Sequence, residues 1–148
     1  MLWFDDLGYE LLIEMNRDWT NINDLTERII GCAFEVSNVL GCGFLEKVYE
    51  RALVQELRMA GLNVLAQYPI SVHYKKTVVG NFFADILVEK SVLIELKALN
   101  SIDNSHYAQC LNYLKASNLN LCLLLNFGTP KIQIKRIIQN PSTHNTYR

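Results

Sequence analysis

The chain has 148 residues, half of them hydrophobic, and a formal net charge of −1 at pH 7. This length supports one sizeable core, and the small net charge argues against a protein that coats nucleic acid by bulk electrostatics. No apolar run reaches the roughly 18 residues that a membrane-spanning helix needs, and the acidic N-terminal residues do not resemble a signal peptide. We therefore expect a single-domain protein of the cytoplasm without membrane contact.

The charges are unevenly distributed along the chain. Residues 1–50 carry ten acidic and three basic side chains, whereas residues 98–148 carry one acidic and five basic side chains. A basic C-terminal face could follow a nucleic-acid backbone. It could also pair with the acidic N-terminal region of the same molecule, or of a second copy in a homodimer. The sequence leaves these alternatives open.

Helical spacing dominates the N-terminal part of the chain. Residues 1–22 carry apolar side chains at roughly helical spacing and are predicted to form an amphipathic extension. A helix is predicted from an N-cap at Asp24 to Leu40, followed by a second helix over residues 45–60. Glu46 lies in the first turn of the second helix, where the helix dipole favours an acid. The inward face of the second helix is predicted to carry Leu45, Val48, Ala52, Leu53 and Leu57.

Strands follow in the middle of the chain. Residues 64–74 predict a strand in which Pro69 favours an edge position or a bulge. Two apolar runs follow, over residues 81–88 and 92–98, separated by three polar residues. These runs predict a β-hairpin with a three-residue loop that pairs Val88 with Val92.

Three charged residues lie inside this otherwise apolar hairpin. The predicted register places Asp85 opposite Glu95, and Lys97 shares the face of Glu95 because residues two apart on a strand point to the same side. Opposed like charges destabilise a sheet, so we expect a cation between them. Carboxylates bind Mg²⁺ and similar ions, and a neighbouring lysine can stabilise charge during phosphodiester hydrolysis. The alternative is an exposed ion pair of Glu95 and Lys97 at a strand end.

The C-terminal part predicts a helix between two further strands. Residues 105–116 form the helix, residues 119–127 a fully buried strand and residues 132–138 a last strand. This order of elements predicts an α/β fold in one domain.

One face of this C-terminal helix carries polar side chains. Gln109 and Tyr113 lie one turn apart, and His106 precedes Gln109 by one turn. The helix follows the strand of Glu95 and Lys97 after a short loop, so its start can lie at the mouth of the same site. We interpret Gln109, Tyr113 and His106 as substrate-binding residues. The alternative is a Tyr113 that packs in the core and a His106 in solvent.

Four short motifs occur in one order along the chain. They are Gly43–Tyr49 with the pattern G-x-x-E-x-x-Y, Ala84-Asp85, Glu95-Leu96-Lys97-Ala98 and His106–Leu114. Together they resemble the GxxExxY family of small bacterial and archaeal proteins, which is placed in the PD-(D/E)xK nuclease-like superfamily. The resemblance covers roughly residues 24–138. It implies a restriction-endonuclease-like αβββαβ core with a mixed β-sheet flanked by helices.

The resemblance also implies a divalent-metal site. By position, the metal ligands are Glu46, Asp85 and Glu95, and the catalytic residues are Asp85, Glu95 and Lys97. Gln109 and Tyr113 match the Q-x-x-x-Y helix that lies beside the active site in RecB-like members. Family members often carry an arginine where this chain has Phe83, so one phosphate contact is replaced.

The sequence thus predicts a nuclease that hydrolyses phosphodiester bonds, in DNA more readily than in RNA, with Mg²⁺ or Mn²⁺. The alternative is a non-catalytic accessory module that binds nucleic acid or a protein partner and forms homo-oligomers. The predicted organisation is an N-terminal extension over residues 1–22, a nuclease-like domain over residues 23–139 and a C-terminal tail over residues 140–148.

Overall fold

The computed structural model of the protein describes residues 19–139. The predictions for residues 1–18 and for the tail 140–148 therefore lie outside the described residues. The chain divides into two compact units, residues 1–31 and residues 32–148. The whole sheet and all candidate site residues belong to the second unit. None of the helices in the described part has the length and hydropathy needed to cross a membrane.

Three helices are described, and they are α1 (Trp19–Leu40), α2 (Glu46–Met59) and α3 (Asn104–Ser117). The predicted N-cap at Asp24 is wrong, because α1 already includes that residue. An aspartate inside a helix costs under about 1 kcal/mol relative to alanine, which does not end a long helix. The other predicted helix boundaries agree with the structure within one or two residues.

Within residues 19–139, five strands form one mixed sheet in the order β1-β2-β3-β4-β5. They are β1 (Val64–Tyr74), β2 (Thr77–Val88), β3 (Val92–Lys97), β4 (Leu121–Asn126) and β5 (Gln133–Ile138). Strands β3 and β4 are parallel and α3 connects them, whereas the other neighbouring strands are antiparallel. The order α2-β1-β2-β3-α3-β4 confirms the predicted αβββαβ core, and β5 extends it. Pro69 lies on the edge strand β1, a position that tolerates a residue without an N–H.

The core is built around the two central parallel strands. All six residues of β4 are buried, and so are the first five of β3. Strands covered on both faces are mostly apolar, and Glu95 in β3 and Asn126 in β4 are buried polar exceptions. Helix α2 packs against β1, β2 and β3, and α3 packs against β1, β4 and β5.

The buried face of α2 differs from the prediction. Leu45 is 81% exposed and Val48 is also exposed, whereas Tyr49 and Glu50 are buried. The Tyr49 hydroxyl donates a hydrogen bond to Gly41 O at 2.6 Å, and its ring stacks on Phe127 with centroids 4.8 Å apart. These long-range contacts select the inward face, and they bring acidic side chains toward the sheet.

Strands β1 and β2 extend past the rest of the sheet. Strand β3 pairs with β2 over Ile86–Val88, within the described residues, so the other end of the β1–β2 hairpin has no third strand. We call residues 71–83 the arm. Its side chains are mostly exposed, whereas β2 becomes largely buried from Ala84 onward.

Candidate active site

The strands β2 and β3 meet in the register that the sequence predicts. Val88 pairs with Val92 across a three-residue turn, in which Ser91 N donates to Val88 O at 3.0 Å. Glu89 and Lys90 adopt positive φ angles of 51° and 54°, which is the geometry of a tight hairpin turn. The backbone pairing of β2 with β3 covers Ile86–Val88, and Asp85 lies just outside the paired residues.

Beyond that point, the backbone N–H groups of the two strands donate to carboxylate side chains and not to backbone carbonyl groups. Asp85 N donates to Glu95 Oε1 at 3.0 Å, and Leu96 N donates to Asp85 Oδ2 at 2.8 Å. Each carboxylate therefore accepts from the backbone of the opposite strand. The second oxygen of each carboxylate accepts no hydrogen bond from the described part of the chain. The two acids are thus fixed in place while one oxygen of each stays available.

Burial makes these charges costly. Glu95 is only 3% exposed, and burial together with the neighbouring Asp85 charge raises its pKa to about 9. Burial also raises the pKa of Asp85, and the Glu50 charge adds to this effect, while the hydrogen bond from Leu96 N opposes it. A bound cation would relieve this repulsion.

Helix α2 contributes two more acids. Glu46, Lys47, Glu50 and Asp85 line a pocket of about 200 Å³. Glu46 and Glu50 lie one turn apart on the same face of the helix. Partial burial raises the pKa of Glu46, and the charge of Asp85 contributes to the rise. The structure therefore places Glu46 beside Asp85 in a pocket that Glu95 does not line, and the role of Glu46 as a metal ligand stays a prediction.

Glu50 and Gln67 belong to this pocket region, and neither is predicted from the sequence as a site residue. Glu50 is 5% exposed, and it accepts hydrogen bonds from Lys47 Nζ and from Gln67 Nε2. Gln67 has a φ angle of 56°, and the pairing of β1 with β2 skips it. The spacing of Glu46 and Glu50 was a usable sequence signal. Gln67 had none, because its position depends on a local irregularity of the edge strand.

Lys97 connects the acids to helix α3. Its Nζ donates to Gln109 Oε1 at 3.1 Å, and Gln109 Nε2 donates to Tyr113 OH at 3.1 Å. The positive charge of Lys97 lowers the pKa values of Glu46, Asp85 and Glu95, opposing the effect of burial. The structure thus groups Lys97, Gln109 and Tyr113 with the acidic residues. Their roles in catalysis and binding stay predictions.

His106 has a structural use in addition to its predicted role. Its Nδ1 accepts a hydrogen bond from Asp103 N at 3.0 Å, and Asp103 Oδ1 accepts from Ser105 N at 2.8 Å. The bond from Asp103 N to His106 is one half of a capping box at the start of α3, and the other half is the Asp103 side chain accepting from the His106 backbone. Substrate binding by His106 stays a prediction.

The acidic residues of the hairpin and of α2 are the candidate ligands of a divalent ion. Among residues 19–139, no three His, Cys, Asp or Glu side chains form a preassembled metal-binding group. The donors are nevertheless hard carboxylate oxygens, which Mg²⁺ and Mn²⁺ prefer. Burial raises the pKa values of Glu46, Asp85 and Glu95, and the charge of Asp85 raises the pKa values of Glu46 and Glu95 further. In donor chemistry, the set of carboxylates therefore fits a divalent cation.

The chain matches a known protein family and is similar to several solved structures. The sequence profile of the PD-(D/E)XK nuclease superfamily matches residues 23–137. The alkaline exonuclease LHK-Exo from Laribacter hongkongensis is 17% identical with a TM-score of 0.49, over 65% of this chain and 57% of that one. The protein SSO0001 is 16% identical with a TM-score of 0.49, over 67% of this chain and 54% of that one. This chain thus spans little more than half of each relative. A search of curated proteins found no match.

Proposed function

This chain belongs to the PD-(D/E)XK nuclease superfamily, and on that basis we propose that it hydrolyses phosphodiester bonds with Mg²⁺ or Mn²⁺, in DNA more readily than in RNA. The observation that carries the proposal is the convergence of Asp85, Glu95 and Lys97 where β2 and β3 separate. Two acids and a lysine in a partly buried site are suited to holding a metal ion and stabilising a phosphorane.

We further propose membership in the GxxExxY family, because its motif forms one structural unit here. Gly43 has a φ angle of 115°, which favours glycine. The Tyr49 hydroxyl donates to Gly41 O and accepts from Phe44 N at 3.2 Å. Tyr49 thereby fastens the loop from which α2 starts. The glycine and the tyrosine of the motif flank Glu46, which lines the pocket together with Asp85.

Each polar residue of the site has a separate task in this proposal. Glu46, Asp85 and Glu95 would hold the divalent ion, which activates water and offsets phosphate charge when bound. Lys97 keeps its ammonium beside the carboxylates, where it can stabilise charge that develops on the phosphate oxygens. Gln109 orients Lys97 through its carbonyl oxygen, and Tyr113 fixes the amide of Gln109.

A non-catalytic module is the second candidate, and one observation favours it. Asp85 and Glu95 each accept a hydrogen bond from the backbone of the opposite strand. These bonds stabilise the end of the hairpin without any metal. A protein that had lost catalysis could keep both acids for this structural purpose.

A cleavage assay separates the two candidates. Single-stranded and duplex DNA and RNA are incubated with the protein in Mn²⁺, in Mg²⁺ and in EDTA. We expect cleavage with metal by the wild type, loss of cleavage in Asp85→Asn, and normal cleavage in Glu35→Gln, whose side chain is exposed on α1. Calorimetry with Mn²⁺ should show binding that Asp85→Asn weakens strongly. Absence of both cleavage and Mn²⁺ binding in the folded wild type would leave the non-catalytic candidate.

A further inference from the structure

A second and larger depression lies between the arm and helix α3. This groove has a volume of about 1080 Å³. Phe82 and Lys76 line it from the arm, and Tyr113 and Lys115 line it from α3. The acidic pocket on α2 is a separate feature with different lining residues.

Aromatic side chains form part of the groove wall. The rings of Phe82 and Tyr113 lie with their centroids 5.9 Å apart at an angle of 43°. Phe82 is 45% exposed although it is a large apolar side chain. An exposed ring beside a groove offers a face on which a flat ligand can stack, and nucleobases stack on such rings whatever their sequence. Bases in a duplex already stack on each other, so this wall suits an unpaired strand.

The charges of the groove complement a phosphate backbone. Lys76 and Lys115 line it, and none of the described residues that line it is acidic. The acids of this region line the other pocket instead, where Glu46, Glu50 and Asp85 lie together. A polyanion is therefore attracted to the groove and repelled by the metal-free acidic pocket.

The groove is continuous with the candidate active site through Gln109. This residue lines the groove, and its Oε1 accepts the hydrogen bond from Lys97 Nζ at 3.1 Å. We propose that the groove binds an unpaired strand of nucleic acid, with bases against Phe82 and phosphates beside Lys76 and Lys115, and leads it to Lys97. This inference rests on the proposed function and names its substrate class as single-stranded.

Two neighbouring phenylalanines provide a matched test of the groove. Phe82 lines it, whereas Phe83 is 57% exposed and does not. Binding of a fluorescein-labelled single strand of about 12 nucleotides, within the ~4–16 that such grooves span, is measured by anisotropy in EDTA. We expect Phe82→Ala to bind about 10-fold more weakly, and Phe83→Ala to change binding by less than about 2-fold. Phe82→Leu, which keeps apolar bulk without the ring, should also bind weakly.

The salt dependence tests the phosphate contacts independently. In single strands, each lost contact lowers the slope of log K against log salt by about 0.7. We expect this decrease for Lys115→Gln, and no decrease for Lys135→Gln, whose exposed side chain lies on β5. Phe82→Ala should keep the wild-type slope. A duplex of the same sequence should bind more weakly than the single strand.

The outcomes separate this inference from the proposed function. If the wild type cleaves nucleic acid but Phe82→Ala and Phe83→Ala bind the single strand equally, the groove is excluded and the nuclease proposal stands. If the single strand binds through Phe82 and Lys115 but is not cleaved with Mn²⁺, the groove stands and the nuclease proposal fails. Equal binding of duplex and single strand would also overturn the groove. A wild type that binds no oligonucleotide in EDTA contradicts the inference directly.

Discussion

Strand β2 passes through two different environments. Residues 84–88 lie in the sheet between β1 and β3, and four of these five side chains are buried. Residues 77–83 lie in the arm, pair with β1 alone and are mostly exposed. The side chains of residues 84–88 pack in the core, and the charged residue among them, Asp85, is held by hydrogen bonds with β3. The arm half is free of that constraint and can present side chains to a ligand. We therefore expect changes at the sheet end to affect rate and stability, and changes in the arm to affect binding.

The largest effect should come from Lys97 at the sheet end. We expect Lys97→Met to lower kcat by about 10³-fold, because a positioned charge that stabilises the transition state is lost. Lys76→Met in the arm should instead raise KM by about 3-fold, since one phosphate contact is worth well under about 1 kcal/mol at moderate salt. Steady-state kinetics on one labelled substrate measure both, with Lys135→Met as the control. A Lys97→Met enzyme with more than roughly a tenth of the wild-type kcat would contradict the assigned role.

Two glycines allow the same comparison for stability. A Cβ atom on Gly128 would lie 2.3 Å from both Leu99 N and Leu99 O, which are backbone atoms that the Asn126 side chain holds by hydrogen bonds. We expect Gly128→Ala to lower the free energy of unfolding by about 3 kcal/mol. A Cβ on Gly80 would meet the exposed Phe82 ring at 3.0 Å. Because that ring can turn away, Gly80→Ala should change stability by less than about 1 kcal/mol. Urea denaturation gives both values, and similar values for the two variants would contradict this contrast.

Glu95 makes the stability of the metal-free protein depend on pH. Its pKa is about 9 in the folded protein against an ordinary value of 4.5. Between these values the folded state binds more protons than the unfolded state, so the free energy of unfolding falls as the pH rises. Glu95→Gln should remove this fall and be more stable than the wild type at pH 8, by on the order of 2 kcal/mol.

Urea denaturation in EDTA at several pH values from 5 to 9 measures the effect of Glu95. Glu35→Gln serves as the control, because this acid is exposed on α1 and should keep the wild-type pH dependence. If the free energies of unfolding of Glu95→Gln and the wild type changed with pH in the same way, Glu95 would not be the source of the pH dependence.

Tyr113 should give the smallest effect. Its hydroxyl accepts one hydrogen bond from Gln109 Nε2, while the bond from Lys97 to Gln109 does not involve it. We expect Tyr113→Phe to cost about 1 kcal/mol in stability and to lower the cleavage rate by about 3-fold. Gln109→Leu, which removes both bonds, should lower the rate further. Equal rates for the two variants would mean that Tyr113 acts through something other than the position of Gln109.

Several features were predictable because they depend on neighbours in sequence. The turn chemistry and the apolar periodicity identified the hairpin, and its pairing of Val88 with Val92 is confirmed. The continuous apolar run of β4 identified a buried strand, which the structure also confirms. The ordered motifs indicated the superfamily that the sequence profile supports. These signals are local, so a single sequence contains them in full.

The site was only partly predictable. The sequence identified Glu46, Asp85 and Lys97 as candidates, and the structure brings them into one neighbourhood. The sequence did not identify Glu50, and the sequence-based prediction that Leu45 lies on the inward face of α2 is wrong. The rotation of that helix is set by Tyr49 and its contacts with Gly41 and a ring 78 positions along the chain.

The sequence by itself determined the helices and strands, the hairpin register and the residue types available for chemistry. The tertiary structure alone decided which face of α2 turns inward, that Asp85 and Glu95 accept from opposing backbone, and that Phe82 stands beside Tyr113 at a groove. The physical reason is the range of the interactions. Hydrogen bonding within helices and turns depends on residues a few positions apart, whereas burial and charge repulsion depend on residues that meet only after the chain has folded.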